Sequence, residues 1–339
     1  MFMSRLLLVI VRIAALAAAA AWSALPAAGQ DQEFAREIQA RARVFPEIGA
    51  GVTAMKRGAD GRYYVLAAPA NVIAVYGSGG NRIGAIPNAN SRGAKIAYAS
   101  DVDVDSEGRL FVADRGANAV KIFNPDGSLV ATVPVAAPMS IVALTGREFA
   151  VTSLRSEQLV SIFDAQGQLA RAFGEPPAPR EDRDRSAPLS HGKIYGDATG
   201  QIYFVFAELN DPTVRSYDRF GYAKYEISLP ASEFKPAPGA RQWTTVTIGK
   251  DAAPPRPVIR ALAVDPETQE VWAAIGNELI HFDKDGNRRA AYLTATKQGA
   301  RIEPSAILIE HDRILIADDP NGLFDFALPE PRHAAPSAH

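Results

Sequence analysis

Five basic and three aromatic side chains form the set that could bind an anionic partner. The basic residues lie where short apolar runs begin or end, and a guanidinium pairs with a carboxylate through two aligned hydrogen bonds. The aromatic residues lie in the same stretches and could stack against a sugar or a peptide. The candidate ligand-binding set is Arg115, Arg155, Lys193, Arg260, Arg301, Tyr98, Tyr195 and Trp243.

Two aspartates, Asp114 and Asp318, could act as ligand or metal carboxylates, because each ends a short apolar run. The simpler interpretation is that each caps the following turn by accepting hydrogen bonds from nearby backbone N–H groups. A catalytic zinc site needs about three protein ligands, and the positions of the histidines do not predict that they converge: His191, His281, His311, His333 and His339. No nucleophile-elbow, phosphate-loop or dinucleotide motif is present. We therefore predict no catalytic residue, no metal and no cofactor.

The stretch Asp101–Gly127 indicates which elements position these residues. It contains three short runs rich in β-branched and aromatic residues, which are Val102–Val104, Leu110–Ala113 and Val120–Phe123. The runs are too short for helices, and the Gly, Asn, Pro and Asp residues that bound them favour turns. Because one three-stranded unit cannot bury its apolar faces, it needs further copies.

Similar units recur along the chain. The segment Ile162–Gly167 repeats the pattern of Ile122–Gly127 forty residues later. Six such units of roughly four runs cover residues 52–328, although the sixth has three. This repetition predicts an all-β fold, a six-bladed β-propeller of four-stranded antiparallel blades.

The segment Phe111–Phe123 (FVADRGANAVKIF) resembles an NHL repeat, whose pattern is YVAD..N.RI..F...G in each blade of a propeller; the match is partial at Val151–Ser153 and Ile316–Asp318. The resemblance, to six-bladed propellers of the bacterial exported type, implies the same architecture. NHL-type propellers include metal-dependent lyases built on converging histidines, a pattern from which this sequence departs. Other six-bladed propellers are calcium-dependent lactonases. Glu47 before Gly49 is similar to one part of their motif, but their Asn-Gly segment is not found.

One face of each predicted blade carries the links between second and third strands and the crossovers between blades, and we call it the loop-rich face. Long loops gathered on one face commonly carry function. The long crossovers are Ile86–Tyr98, Gly174–Lys193, Pro230–Val258 and Thr294–Pro304. We expect the binding set to lie there around a positive channel mouth that holds the largest pocket. Alternatively, the cations pair with acidic residues of the same face and only solubilise it: Asp101, Asp211, Asp251 and Asp319.

The ends of the chain predict export and ring closure. Residues 1–29 have the layout of a secretory signal peptide, with Arg5 and Arg12 before an alanine-rich run. Residues 30–51 are expected to close the ring, as a short helix followed by a strand from Ala42 that supplies the outer strand of the sixth blade. Residues 329–339 form a low-complexity tail that we expect to be disordered.

The composition narrows the functional class. Removing Arg5 and Arg12 from the 36 basic residues leaves 34 against 38 acidic ones, a net charge of −4 that does not favour nucleic acid. There is no cysteine, so stability must come from packing. We predict an exported monomer, periplasmic or extracellular and bacterial, without a membrane span after signal cleavage. It would bind a protein, peptide or glycan without catalysis; the alternative is a metal-dependent lyase or lactonase acting at the channel mouth.

Overall fold

The computed structural model describes residues 35–67, 70–88, 94–177, 191–207, 209–234 and 257–329 of the 339-residue chain. Within these ranges the protein is an all-β, six-bladed propeller of four-stranded antiparallel sheets, which confirms the predicted fold class. The predicted signal peptide, residues 330–339 of the predicted tail and Trp243 lie outside the described residues. No helix in the described ranges is long and apolar enough to cross a membrane.

Two short strands precede the blades, β1 (Arg36–Gln39) and β2 (Ala42–Val44). Within each blade, the first strand lines the central channel. Blades one and two contain β3 (Val52–Arg57), β4 (Tyr63–Ala67), β5 (Ile73–Tyr76), β6 (Arg82–Ile86), β7 (Ala99–Val104), β8 (Leu110–Asp114), β9 (Ala119–Phe123) and β10 (Leu129–Pro134). Blade three contains β11 (Pro138–Ala143), β12 (Phe149–Ser153), β13 (Val160–Phe163) and β14 (Leu169–Phe173).

The remaining blades follow in chain order. Blade four contains β15 (Gly192–Gly196), β16 (Ile202–Phe206), β17 (Thr213–Tyr217) and β18 (Ala223–Ser228). Blade five contains β19 (Ala261–Val264), β20 (Val271–Ile275), β21 (Glu278–Phe282) and β22 (Arg288–Ala295), and blade six contains β23 (Pro304–Ile309), β24 (Arg313–Asp318) and β25 (Gly322–Ala327). Single-turn 3₁₀ helices lie at Arg115–Ala117, Thr145–Arg147 and Ala231–Glu233.

The links between first and second strands owe their shape to local turn chemistry. In blade two, one Asp105 carboxylate oxygen accepts the backbone N–H groups of Glu107 and Arg109, both at 2.9 Å. Gly108 has a φ of +80°, a conformation that side chains other than glycine rarely adopt. These local interactions reverse the chain without help from distant residues, which is why the sequence predicted the turns.

The core lies between neighbouring blades, where apolar faces of adjacent sheets meet. Phe149 of blade three stacks on Phe163 at 5.2 Å and contacts Phe111 of blade two at 5.7 Å between ring centroids. Their cluster also includes Val120 and Ile141. Burial of such side chains contributes about 1.5–3 kcal/mol each, so each blade depends on its neighbour for stability.

The N-terminal segment (residues 35–51) joins blades five and six. β2 pairs antiparallel with β25, so the strand expected from Ala42 occupies the outer position of the sixth sheet. The helix expected before it is wrong, because β1 is a strand that pairs in parallel with β22 and gives the fifth sheet a fifth strand. Pairing with the open edge of β22 satisfies backbone groups and outweighs the helix propensity of the local sequence.

The same segment also contacts blade one. The Phe45 ring meets the Tyr63 ring edge-on, with centroids 4.9 Å apart, and Ile48 is 2% exposed in the same cluster. A Cβ at Gly80 would lie 2.1 Å from the Phe45 ring, so only glycine allows this close approach. The segment therefore connects the last blade to the first.

Candidate ligand-binding channel

A cavity of about 740 Å³ occupies the central channel, and we call it the channel cavity. Its walls are the innermost strands of all six blades, and its mouth is formed by the links between first and second strands, including Gly58, Asp105, Asp197 and Glu267. These links lie on the face opposite the loop-rich face, and we call it the hairpin face. The channel cavity therefore opens at the hairpin face.

We expected the largest pocket at the loop-rich face, but the larger of the two cavities described here, the channel cavity, opens at the hairpin face. No described residue of the long crossovers 86–98, 230–258 or 294–303 lines the channel cavity. Small side chains explain the position of the cavity, since Ala143, Gly196 and Ala263 lie near the hairpin ends of three successive innermost strands. They leave space where larger side chains would fill the channel.

The channel cavity itself is lined by an excess of acidic residues, whereas a positive mouth was expected at the loop-rich face. Three cations and six carboxylates line it, which gives a formal charge of −3 with histidine neutral: Lys56, Arg57 and Lys193 against Asp101, Asp103, Asp105, Asp197, Glu267 and Glu310. Close partners occupy these carboxylates. Asp105, for example, pairs with Arg109 at 2.6 Å, and Glu267 contacts His311 at 2.8 Å.

Two aspartates of β7 connect blade two to the blades on either side. Asp103 forms an ion pair with Lys56 of blade one at 3.1 Å and accepts the backbone N–H of Ala143 in blade three at 2.8 Å. Asp101 accepts the Ser140 hydroxyl and the backbone N–H of Ile141. These contacts satisfy polar groups on the free edge of β11 that would otherwise face the channel.

Ser140 continues this network into blade four. It is fully buried, and its hydroxyl oxygen accepts the backbone N–H of Ile194 at 3.1 Å. Thr152 makes a parallel connection by donating its hydroxyl to the Gly192 carbonyl at 3.1 Å. The polar residues of the channel wall thus hold blades two, three and four together, and this accounts for their position without invoking catalysis.

The pKa values of the channel residues depend on burial and on the charges of neighbouring side chains. Burial raises the pKa of Asp101, although the charges of Lys193 and Lys56 and the Ser140 hydrogen bond oppose the rise. Burial would lower the pKa of Lys56, but the charges of Asp103 and Asp101 outweigh it and raise the pKa. Burial and the Asp101 charge raise the pKa of Tyr195, so its phenol stays neutral and can donate a hydrogen bond.

The raised pKa of Asp101 predicts a specific pH dependence. The folded protein keeps a proton that the unfolded chain loses above the ordinary value of 3.8. The contribution of Asp101 to the free energy of unfolding therefore falls as pH rises from 3.8 through the folded pKa, and is constant above it. The Asn side chain of the Asp101→Asn variant cannot titrate. The melting temperature of this variant, relative to that of the native protein, should therefore rise as pH increases across this window. A difference that stays constant with pH would contradict this assignment.

Lys193 and Tyr195 are the members of the candidate set that line the channel cavity. Both lie on β15 and are partly exposed, with the buried Ile194 between them. Within the described residues, the Lys193 ammonium makes no ion pair, although its charge lowers the pKa of the nearby Asp101. Three donor hydrogens of one channel cation are thus available to a ligand.

The other described members of the candidate set lie at the loop-rich face, outside the channel cavity. Arg115 and Arg155 are exposed in the links that follow β8 and β12, and Tyr98 is 43% exposed just before β7. Arg260 lies 3.9 Å from Glu303, and Asp251, one of its expected partners, lies outside the described residues. Arg301 is exposed before β23. Of the described members of the set, Lys193 and Tyr195 therefore line the channel cavity and the other five do not.

Asp114 caps the following turn, as the simpler interpretation predicted, and it also contacts the incoming crossover and Lys121. Its carboxylate accepts the N–H of Ala117 in the following turn at 3.2 Å. It also accepts the N–H groups of Ala97 and Tyr98 in the incoming crossover, and it pairs with Lys121 at 2.7 Å. These crossover contacts could not be predicted from local sequence, because they join segments on either side of β7.

The histidines lie in different parts of the propeller. His281 is buried in β21 and stacks on Trp272 with ring centroids 4.0 Å apart. His311 lies on the hairpin face beside Glu267, whereas His191 directly precedes β15 at the loop-rich face. Among the described residues, no group of three or more His, Cys, Asp or Glu side chains could hold a metal ion.

Comparison with known proteins supports the propeller fold and assigns no function. No protein-family model matches the sequence, and a search of the curated proteins finds no match. Among solved structures, the chain is similar to a streptogramin B lyase at 14% identity, with a TM-score of 0.51 over 83% of this chain and 84% of that one. It is also similar to the WD40 repeats of RRP9 at 11% identity, with a TM-score of 0.55 over 86% and 99%. Hydrazine synthase of Kuenenia stuttgartiensis follows at 9% identity, with a TM-score of 0.52 over 83% and 96%. At such low identities the likeness shows the propeller fold alone.

Proposed function

We propose that the protein is a non-catalytic binding propeller that captures a peptide end in its channel, with the terminal carboxylate on Lys193. This proposal rests on an open cavity of about 740 Å³. In it the Lys193 ammonium has unused hydrogen-bond donors, whereas the carboxylates of the lining have partners. Tyr195, two residues away on the same strand, offers a neutral phenol beside it. A carboxylate could accept a hydrogen bond from each of them, and both bonds would be charge-assisted.

A peptide or protein terminus fits this cavity better than a glycan. Sugar-binding sites commonly use exposed Phe, Tyr or Trp faces as stacking surfaces, whereas Tyr195 is the one residue of these three types among the described lining residues. The net charge of −3 opposes the terminal carboxylate, so the contact with Lys193 must offset this repulsion, whereas the same charge attracts positive side chains in the rest of the peptide. Export of the protein stays a sequence-based expectation, which cell fractionation with N-terminal sequencing would test.

Lys193→Met should reduce retention of peptides with a free carboxyl terminus about tenfold or more, since a charge-assisted hydrogen bond is worth about 1.5–3 kcal/mol. The measurement is retention of random-sequence tetrapeptide pools, with free or amidated termini, on immobilised protein. Lys284→Met is the matched control, because Lys284 lies on the hairpin face outside the channel cavity and is 63% exposed. Melting temperatures of both variants should stay close to that of the native protein.

The loop-rich face can be tested in the same assay. Charge reversal at Arg115 together with Arg260 should leave retention intact if the channel cavity is the site. If that double variant loses the peptides while Lys193→Met keeps them, the binding site lies at the loop-rich face and the present proposal is wrong. Equal retention of free and amidated pools by the native protein would remove the role given to the terminal carboxylate.

A further inference from the structure

A second cavity adjoins the mouth of the channel cavity. It has a volume of about 530 Å³ and shares Arg57, Glu310 and His311 with the channel cavity. We call it the blade-six groove, because it extends across the hairpin face of blade six to its outer strands, where Arg41 and Asp325 line it. The two cavities therefore form a continuous bent path from the channel to the edge of the propeller.

The inner part of the groove is held in one arrangement by a buried carboxylate. Glu310 is 6% exposed and accepts the Tyr63 hydroxyl at 2.7 Å. Its other oxygen accepts Nε of Arg313 at 2.5 Å, and Arg57 lies 3.2 Å away. Arg313 in turn donates to the Tyr63 hydroxyl at 3.1 Å. A network fixed in this way is preorganised, so a ligand would spend little free energy on ordering it.

The outer end of the groove is built by the N-terminal segment. Arg41 pairs with Asp325 of β25 at 2.8 Å, and its backbone N–H donates to the Asp325 carbonyl at 2.7 Å. The Arg41 side chain remains 45% exposed. Because a guanidinium has five donor hydrogens, Arg41 can bind an additional acceptor while it keeps its contact with Asp325.

The dimensions of the path define the length of its occupant. Thr53 to Arg57 of β3 spans four residue steps along the channel wall, or about 13 Å at 3.3 Å per step. The innermost strand of blade six is three strand spacings from β2, or about 14 Å at 4.8 Å each. An extended chain covers about 3.3–3.6 Å per residue, so about eight residues fill both parts.

We propose that the channel cavity and the blade-six groove form one site for an extended peptide of about eight residues. Its carboxyl terminus lies at Lys193 and its preceding residues cross blade six to Arg41. This inference rests on the proposed function. Both hydrogen-bond donors (Arg41, Arg57, Arg313) and acceptors (Glu310, Asp312, Asp325) line the groove, so it can serve the N–H groups as well as the carbonyls of a peptide backbone. The described lining of the groove includes no Phe, Tyr or Trp, and this favours a peptide over a sugar chain.

The test compares random-sequence peptide pools of two, four, six and eight residues with free carboxyl termini, measured by equilibrium retention on the full-length protein. Affinity should rise about tenfold between the four-residue and eight-residue pools. Arg41→Ala should remove most of that gain and leave retention of the four-residue pool unchanged. Arg147→Ala is the matched control, because Arg147 is an arginine of the hairpin face in blade three that is 60% exposed and lies outside both cavities.

The outcomes separate the two proposals. If the four-residue pool binds in a Lys193-dependent manner but longer pools bind no better, the extended site is wrong and the channel site stands. The same conclusion follows if Arg147→Ala removes the gain with length as fully as Arg41→Ala. If no pool with a free carboxyl terminus is retained, both proposals are overturned.

Discussion

Deletion of residues 30–48 is expected to lower the melting temperature by roughly 10 °C or more. The deletion removes β1 and β2, which pair with the outer strands of blades five and six. It also removes the side chains of Phe45 and Ile48, which are 7% and 2% exposed. Loss of two such core side chains costs about 5 kcal/mol or more, and about 2–4 °C accompanies each kcal/mol in a protein of this kind. Differential scanning calorimetry would measure the change.

Point variants can assign this loss to the contact with blade one. Phe45→Ala should cost about 3–5 kcal/mol, because the ring fills the space beside Tyr63 and Gly80. Ile83→Ala is the matched control, since Ile83 is 50% exposed on β6 and its truncation should change stability by no more than about 0.5 kcal/mol. A deleted protein that melts at the native temperature would show that the ring closes without the N-terminal segment.

The blades could be predicted because their determinants are local. The link Asp105–Arg109 carries its own carboxylate cap and a glycine with positive φ, and the strand that follows it is a short, fully buried apolar run. Such features read directly from neighbouring residues. The strand from Ala42 could be expected for a different reason, since a sixth unit with three runs leaves an outer position open.

β1 could not be predicted in the same way. Arg36–Gln39 pairs with Tyr292–Ala295, and no local pattern in either segment specifies that contact. The residues around β1 are good helix formers, and it is the free edge of β22 that decides their conformation. Contacts between segments so distant in sequence depend on the closed ring and not on propensity.

In the candidate site, too, locally determined features could be predicted and contacts between distant segments could not. The sequence indicated cations near the innermost strands, and Lys193 does line the channel cavity. It did not indicate the face on which the cavity opens, because that depends on small side chains such as Ala143 and Gly196 meeting across the channel. The pair of Lys56 with Asp103 was also missed. The alternation of aspartate with valine in β7 was its one visible signal, since alternate residues of an innermost strand face the channel or the next blade.

Replacement of Asp114 by alanine is expected to destabilise the protein by about 3–5 kcal/mol, because it leaves the Lys121 ammonium buried without its counter-ion. Asp114 is fully buried and Lys121 is 8% exposed. Burial alone would raise the pKa of Asp114, but hydrogen bonds from Lys121 and from the N–H groups of Tyr98 and Ala97 outweigh it and lower the pKa. The stabilisation is therefore present above the ordinary value of 3.8 and is lost as pH falls through the folded pKa. Chemical denaturation at pH 7 and under acid should show a deficit that shrinks at low pH.

A variant of Asp318 allows the stability cost of an unpaired buried charge to be separated from the cost of lost crossover contacts. It occupies the matching position of blade six and accepts the N–H of Glu303 in its own incoming crossover at 3.2 Å. Strand pairing places Phe324 where blade two has Lys121, so Asp318→Ala leaves no ammonium at that strand position unpaired and should cost about 1–3 kcal/mol. Combining Asp114→Ala with Lys121→Met should restore part of the stability, because no buried ammonium then remains. If the double variant is less stable than Asp114→Ala by the full cost of Lys121→Met alone, the two side chains act independently and the ion pair does not account for the loss.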